Sequence, residues 1–349
     1  METKHLSYFK VENFKRFDSL EVNDIGQFNL IVGDNNVGKT TLLEALLFNE
    51  RNYDQFLLNL EFALENRELA TDKRINYVES YLRNKNKSLN YTFQFTNSDR
   101  KNNLTVTKKN INQLSEKEIG NDILLQLKLN KSVNIVQIDL DGKSKIKAVT
   151  LFDENSNSAY YHFPLLGSRL LYDEETFNFT LTISASNSKL ESFKSDLRFF
   201  LPDIMSIEEG TSAINGDTNL IIRETNSDNP LPLAAYGDGF IKFFRCLLKM
   251  ELSTNKRLMI DEIDAGIHHS RMKGYLIQIL QSAKNKNVQI FATTHSKECL
   301  QYYTEALQEL GYENDGRVIK IANTKSGIKA YASRFGQFEN SLSAESEIR

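Results

Sequence analysis

Residues Gly33, Asp34, Asn35, Asn36, Val37, Gly38, Lys39 and Thr40 match a full pattern: a glycine, four residues, a second glycine, a lysine and a hydroxyl residue. The two glycines let the backbone curl until successive N–H groups point at one centre, which makes a phosphate cradle. A lysine at this place reaches the β- and γ-phosphates of a nucleoside triphosphate, and the threonine hydroxyl is a ligand for Mg²⁺. Thr41 continues into a helix whose N-terminal dipole favours the same anion. Further along, Leu258-Met259-Ile260-Asp261-Glu262 is an apolar run closed by two carboxylates. Asp261 suits the metal shell, and Glu262 suits a general base that polarises an attacking water. His295, in Ala292-Thr293-Thr294-His295-Ser296, suits a γ-phosphate contact. Tyr236-Gly237-Asp238-Gly239-Phe240 opens a helix with two glycines, a second place where backbone N–H groups gather for an anion.

These residues are far apart in the chain, so the elements between them must converge. Phe28–Val32 is a compact apolar run that predicts a buried strand stopping at Gly33, and Thr41–Phe48 reads as a helix apolar on most sides. Leu258–Ile260 and Val288–Ala292 read as short buried strands, one ending in the acids and the other in Thr-Thr-His. Strands from both ends of the chain that finish in polar residues predict one composite sheet, reactive at its carboxyl edge. Leu6–Phe17 alternates weakly, and 18–23 continues toward a second strand. Residues 51–83 carry Leu57, Leu58, Phe62, Leu69, Ile75, Val78 and Leu82 near helical spacing. Residues 91–151 change to strand character, with Asp141-Gly142 as a hairpin signal between two alternating runs. Helices are predicted over 188–201, ended by Pro202, and over 240–252. No repeat or sustained heptad is visible.

The chain has 349 residues, of which 40% are hydrophobic and 26% charged, enough for one large α/β domain or two ordinary ones. Two cysteines, Cys246 and Cys299, exclude a disulfide framework and point to a reducing cytoplasm. Both lie among apolar residues and read as buried. No apolar run approaches a membrane span, and no secretory leader is evident at the N-terminus. The net charge of −3 excludes a wholly basic surface. The charge is uneven, however: Lys73–Lys147 holds 15 basic and 7 acidic residues, so the remainder is acidic. That segment is either a solvated face or a lobe facing nucleic acid.

The four motifs together resemble an ABC-type ATPase head, over residues 5–50 and 160–335. More closely the chain resembles the SMC/RecF/OLD branch, the OLD-like AAA-family ATPases. Carrying that likeness are Val11-Glu12-Asn13-Phe14-Lys15-Arg16-Phe17, the Asp261-Glu262 pair, Ile263-Asp264-Ala265-Gly266-Ile267-His268, and Thr293-Thr294-His295-Ser296. The resemblance implies an α/β fold, an ABC-type P-loop head with a mixed sheet, flanking helices and an inserted α+β lobe. Its parts are 1–50 (the N-terminal part of the head, with the P-loop), 51–160 (the lobe) and 161–349 (the C-terminal part, with the signature turn, the acid pair and the His motif). It implies ATP and Mg²⁺ as cofactors, and two heads closing around ATP. Gly237–Gly239 would then cap the partner's γ-phosphate, Asp264 would lie at the seam, and His295 would sense γ-phosphate in its own subunit. The chain departs from the general signature, where a serine usually stands at the position of Gly237. The Q-loop glutamine has no fixed place; Gln94 and Gln137 are the possibilities.

By this resemblance the chain is a slow, partner-regulated cytoplasmic ATPase, a sensor in a bacterial antiphage defence system controlling a separate nuclease or toxin effector. A Toprim domain like that of OLD nucleases finds no room after the His motif. The alternative is a RecF-like DNA-repair ATPase binding duplex DNA through the 73–147 lobe. A transporter subunit and a non-hydrolysing scaffold fit less well. Arg169 reads as a nucleotide or partner contact or as an ordinary surface arginine. Lys15 and Arg16 are candidates for nucleotide or DNA contact. Arg245 reads as a structural ion-pair partner, Phe240, Phe243 and Phe244 as core, and His268-His269 as no metal site.

Overall fold

Alternation along four short strands decides the architecture. The computed structural model describes residues 5–47, 87–98, 101–109, 123–129, 132–139, 147–150, 165–166, 179–211, 218–227 and 229–343. Strands β3 (Phe28–Val32), β13 (Arg257–Ile260), β14 (Gln289–Thr293) and β15 (Gly316–Thr324) lie in one six-stranded sheet. It is completed by β9 (Leu165–Leu166) and β16 (Gly327–Arg334), in the order β16-β15-β3-β14-β13-β9. All its pairings are parallel except β15 with β16. Successive side chains of a strand point to opposite faces. Phe28, Leu30, Leu258, Ile260, Ile290, Ala292 and Val318 therefore enter one core, while Ile31, Met259, Phe291, Ile319 and Ile321 enter another. Both faces are covered, which is why the central strands read as continuous apolar runs rather than alternating ones.

The first core is closed by helix α1 (Lys39–Leu47) and by a second sheet. Leu42, Leu43, Ala45, Leu46 and Leu47 are all buried, so α1 has scarcely a solvent face. The second sheet runs β2-β1-β4-β5-β6-β7-β8 and is antiparallel throughout. Its strands are β1 (Leu6–Phe14), β2 (Phe17–Val22), β4 (Leu89–Phe95), β5 (Asn102–Lys109), β6 (Ile123–Leu129), β7 (Ser132–Asp139) and β8 (Lys147–Thr150). Strands of the 51–160 segment thus continue the sheet begun by the N-terminal hairpin, through β1 against β4. Buried Gln289 stitches the two sheets together: its side chain pairs with both the N–H and the C=O of Leu6 at 2.8 Å and donates to the Gly26 carbonyl. The Asp141-Gly142 turn and the predicted 51–83 helix lie outside the described residues, although β7 and β8 pair around that turn.

The second core is closed by helices α2 (Asn187–Leu197), α3 (Asp238–Leu252), α4 (His269–Asn285), α5 (Lys297–Leu310) and α6 (Phe335–Ser343). In α4, Met272, Tyr275, Leu276, Ile279, Leu280 and Ala283 recur at helical spacing and are buried. A three-stranded sheet, β10 (Ile204–Thr211), β11 (Thr218–Glu224) and β12 (Leu231–Pro232), leads into α3. Phe240, Phe243 and Phe244 sit in this core, with Phe193 edge-on to Phe244, and Cys246 and Cys299 are buried there. Among the described residues no helix is long and apolar enough to cross a membrane.

Candidate functional site

Parallel order puts three carboxyl ends side by side. β14 lies between β3 and β13, with Ile31 opposite Thr293 and Ile260 opposite Ala292. The 33–40 loop leaves the carboxyl end of β3. Gly33 has φ 147° and Gly38 has φ 116°, a region L side chains avoid, and Asn36 is left-handed at φ 60°. A Cβ on Gly33 would overlap the carbonyl oxygen of Ile321, and one on Gly38 would lie 2.9 Å from the Phe17 ring. The loop is thus pressed between β15 and the β1–β2 turn. Asp34, Asn35 and Asn36 face solvent, whereas Val37, Gly38 and Lys39 are buried and Thr41 is half-buried. Lys39 Nζ donates to the carbonyls of Gly33 (2.6 Å) and Asp34 (2.9 Å) and lies 3.2 Å from His295 Nδ1. Burial draws the Lys39 pKa below the usual lysine range, while the charges of Asp261, Asp34 and Glu262 resist that shift.

Thr40, in the first turn of α1, donates its hydroxyl to Asp261, 3.0 Å from Oδ2 and 3.3 Å from Oδ1. A hydroxyl and a carboxylate converging in this way are the hard oxygen donors that Mg²⁺ takes. Thr293, at the end of β14, donates to Asp261 Oδ1 at 2.6 Å and accepts from the Glu262 N–H at 2.8 Å. Glu262 itself is left-handed, with φ 50°. The peptide N–H of Asp261 goes to Leu166 O (2.9 Å) and that of Ile263 to Thr293 O (2.9 Å). Sequence reasoning missed Thr293 as an organiser of both acids; the signal available was a hydroxyl ending a fully buried strand. It also missed Lys242, a lysine in the apolar run of α3, whose ammonium meets the carbonyls of Asp261 (3.3 Å) and Glu262.

The glycine turn at the start of α3 joins this group through the loop after the acids. Gly237 is extended (φ −66°, ψ 152°), and its carbonyl accepts from Phe240 and Ile241. A Cβ on Gly239 would lie 2.8 Å from the carbonyl of Gly266, whose φ is 77°. Asp264 closes the same loop by accepting from the Ile267 N–H. Gly237 and Asp238 are exposed. Of the remaining candidates, Arg16 is exposed beside Gly38, and Lys15 turns to a buried ion pair with Glu44. Arg245 is buried on α3. Gln94 donates to Ser98 O at 2.6 Å on β4, and Gln137 lies on β7. Arg169 lies outside the described residues. His268 caps α4, its Nδ1 accepting from the Ser270 N–H.

The family model described as "AAA domain, putative AbiEii toxin, Type IV TA system" matches residues 28–300. An "ATP/GTP phosphatase" of Helicobacter pylori is 23% identical over 342 residues, spanning 88% of this chain and 90% of that protein. An uncharacterized protein of Methanocaldococcus jannaschii is 35% identical over 104 residues, 30% of this chain and 87% of its own length. Among solved structures, an SMC head bound to the C-winged helix domain of ScpA superposes with a TM-score of 0.54 at 11% identity. That match covers 96% of this chain and 99% of the SMC head, and it shows a shared fold.

Proposed function

Since the chain belongs to this family of AAA domains and is an ATPase of the ABC/SMC-like type, we propose that its site binds MgATP at the carboxyl edge of the six-stranded sheet and works as a dimerising switch. One observation carries the reading. Lys39, His295, Thr40, Asp261, Thr293 and Glu262 converge through hydrogen-bond-range contacts from three adjacent parallel strands.

In this reading the backbone of residues 33–41 receives the phosphates, and Lys39 moves from its loop carbonyls to the β/γ oxygens. Thr40 and Asp261 hold Mg²⁺, which supplies charge neutralisation on the phosphates when bound. Glu262 accepts the proton of the attacking water, with its carboxylate positioned by a fixed main chain. His295, beside Lys39, contacts the γ-phosphate. The Gly237-Asp238-Gly239 turn, exposed at its first two residues, and the Asp264 loop meet a second copy of the chain, so that ATP lies between two heads. The toxin named in the family description supports a role in a bacterial conflict system, and we assign this chain the regulatory ATPase of antiphage defence, acting on a separate effector.

The test is phosphate release and sedimentation of the wild-type chain and Glu262→Gln. The variant should still bind MgATP, lose turnover about 100-fold or more, and accumulate as a dimer. Undiminished hydrolysis together with an unchanged oligomeric state would overturn the reading.

A further inference from the structure

Glu262 adopts a left-handed backbone, φ 50°, at the point where the proposed base must be aimed. A residue with a Cβ holds that conformation only where its surroundings over-determine it. The constraints can be named. Thr293 accepts the Glu262 N–H, the Ala265 N–H donates to the Glu262 carbonyl at 3.0 Å, and Leu166 accepts the Asp261 N–H at 2.9 Å. The remaining constraint comes from another element altogether. Lys242, one turn into α3, puts its ammonium on the carbonyls of both Asp261 and Glu262.

Position 242 is unusual for a lysine. Phe240, Ile241, Phe243, Phe244, Arg245 and Cys246 around it on α3 are all buried, and Lys242 itself is half-buried. Its hydrogen-bond partners here are main-chain oxygens, so the interaction fixes where a peptide points. A charged donor on a carbonyl is worth more than a neutral one, and a Lys side chain can present several donors at once. The Glu262 carbonyl, just past the end of β13, receives Lys242 and the Ala265 N–H together.

We propose that Lys242 is a positioning residue for ATP hydrolysis: it clamps the Asp261-Glu262 main chain in the left-handed geometry that aims the Glu262 carboxylate, and takes no part in binding nucleotide. The inference rests on the ATPase reading above. Lys242 then governs turnover with little effect on substrate affinity, and a second cation of similar reach replaces it.

The experiment compares the full-length wild type, Lys242→Met and Lys242→Arg, measuring kcat and KM for MgATP alongside direct binding of a fluorescent ATP analogue. Lys242→Met should lower kcat about 10- to 100-fold while KM and analogue affinity stay within about twofold. Lys242→Arg should recover most of the lost kcat. A Lys242→Met kcat within twofold of wild type overturns the proposal, as does a loss of analogue binding that matches the loss of turnover. If Lys242→Met does not fold, Lys242→Arg decides alone: a folded, nucleotide-binding arginine variant must keep most of the wild-type kcat, and near-complete loss overturns the clamp. An inactive wild-type chain would instead overturn the ATPase reading itself.

Discussion

At the scale of single residues, one hydroxyl organises two acids. Thr293 is 1% exposed, donates to Asp261 and accepts from the Glu262 N–H, so its removal strands a half-buried donor and weakens the hold on a carboxylate. Thr293→Val keeps the shape and deletes the hydroxyl. It should cost about 1–3 kcal/mol in denaturant unfolding, because two hydrogen bonds are lost and one of them is to a carboxylate. Turnover should fall with it, while Thr293→Ser, which keeps the oxygen, should stay near wild type in both measurements. A valine variant as stable and active as the serine variant would contradict the assignment. The contrast with Lys39, Thr40, Asp261 and Glu262 is instructive. Those residues are legible in the sequence because local spacing gives them away, with a glycine-bounded loop and an acid pair closing an apolar run. Thr293 and Lys242 act through tertiary placement: the pairing of β13 with β14 brings Thr293 to the acids, and the packing of α3 brings Lys242, which spacing along the chain does not record.

At the scale of elements, the start of α3 shows two glycines held for different reasons. Gly239 leaves no room for a Cβ, since the Gly266 carbonyl would lie 2.8 Å away, and both belong to backbone that cannot yield cheaply. Gly237 has nothing within 4 Å of a Cβ and sits at φ −66°, ψ 152°, an extended geometry that any residue adopts at a helix N-cap. Gly239→Ala should therefore destabilise the fold by about 1–3 kcal/mol, as forced overpacking does. Gly237→Ser should fold at least as well, because serine caps a helix slightly better than glycine. If the turn meets a second nucleotide as proposed, the added hydroxyl should also strengthen the proposed ATP-dependent dimer, read by sedimentation with MgATP. A weakened dimer in Gly237→Ser would count against the turn meeting a second nucleotide. The buried strands β3, β13 and β14 were readable as short apolar runs, as was the helical spacing of α3. The pairing of β1 with β4 was not, because it joins residues about eighty positions apart and depends on a hydrogen-bond ladder that composition does not reveal.

At the scale of the whole molecule, the near-neutral charge of −3 averages a basic 73–147 stretch and an acidic remainder, and the two are not mechanically separate. Strands of that stretch extend the sheet that packs on α1, and α1 begins at Lys39. A ligand seated on residues 33–41 therefore bears on the helix wedged between both sheets, so its binding energy should appear as stability of the whole fold. At a MgATP concentration about 100 times its Kd, linkage adds about 2.7 kcal/mol. For a chain of this length that is a rise in Tm of about 4 °C. The rise should vanish in Lys39→Ala, shrink when EDTA removes Mg²⁺, and, on the proposed dimer mechanism, depend on protein concentration in Glu262→Gln. The last condition separates two mechanisms that a single melt cannot. If nucleotide stabilises one chain alone, the Glu262→Gln midpoint is flat across dilution; if it joins two heads, the midpoint climbs with concentration as mass action requires. A shift of equal size in Lys39→Ala would mean that ATP acts elsewhere than the 33–41 loop.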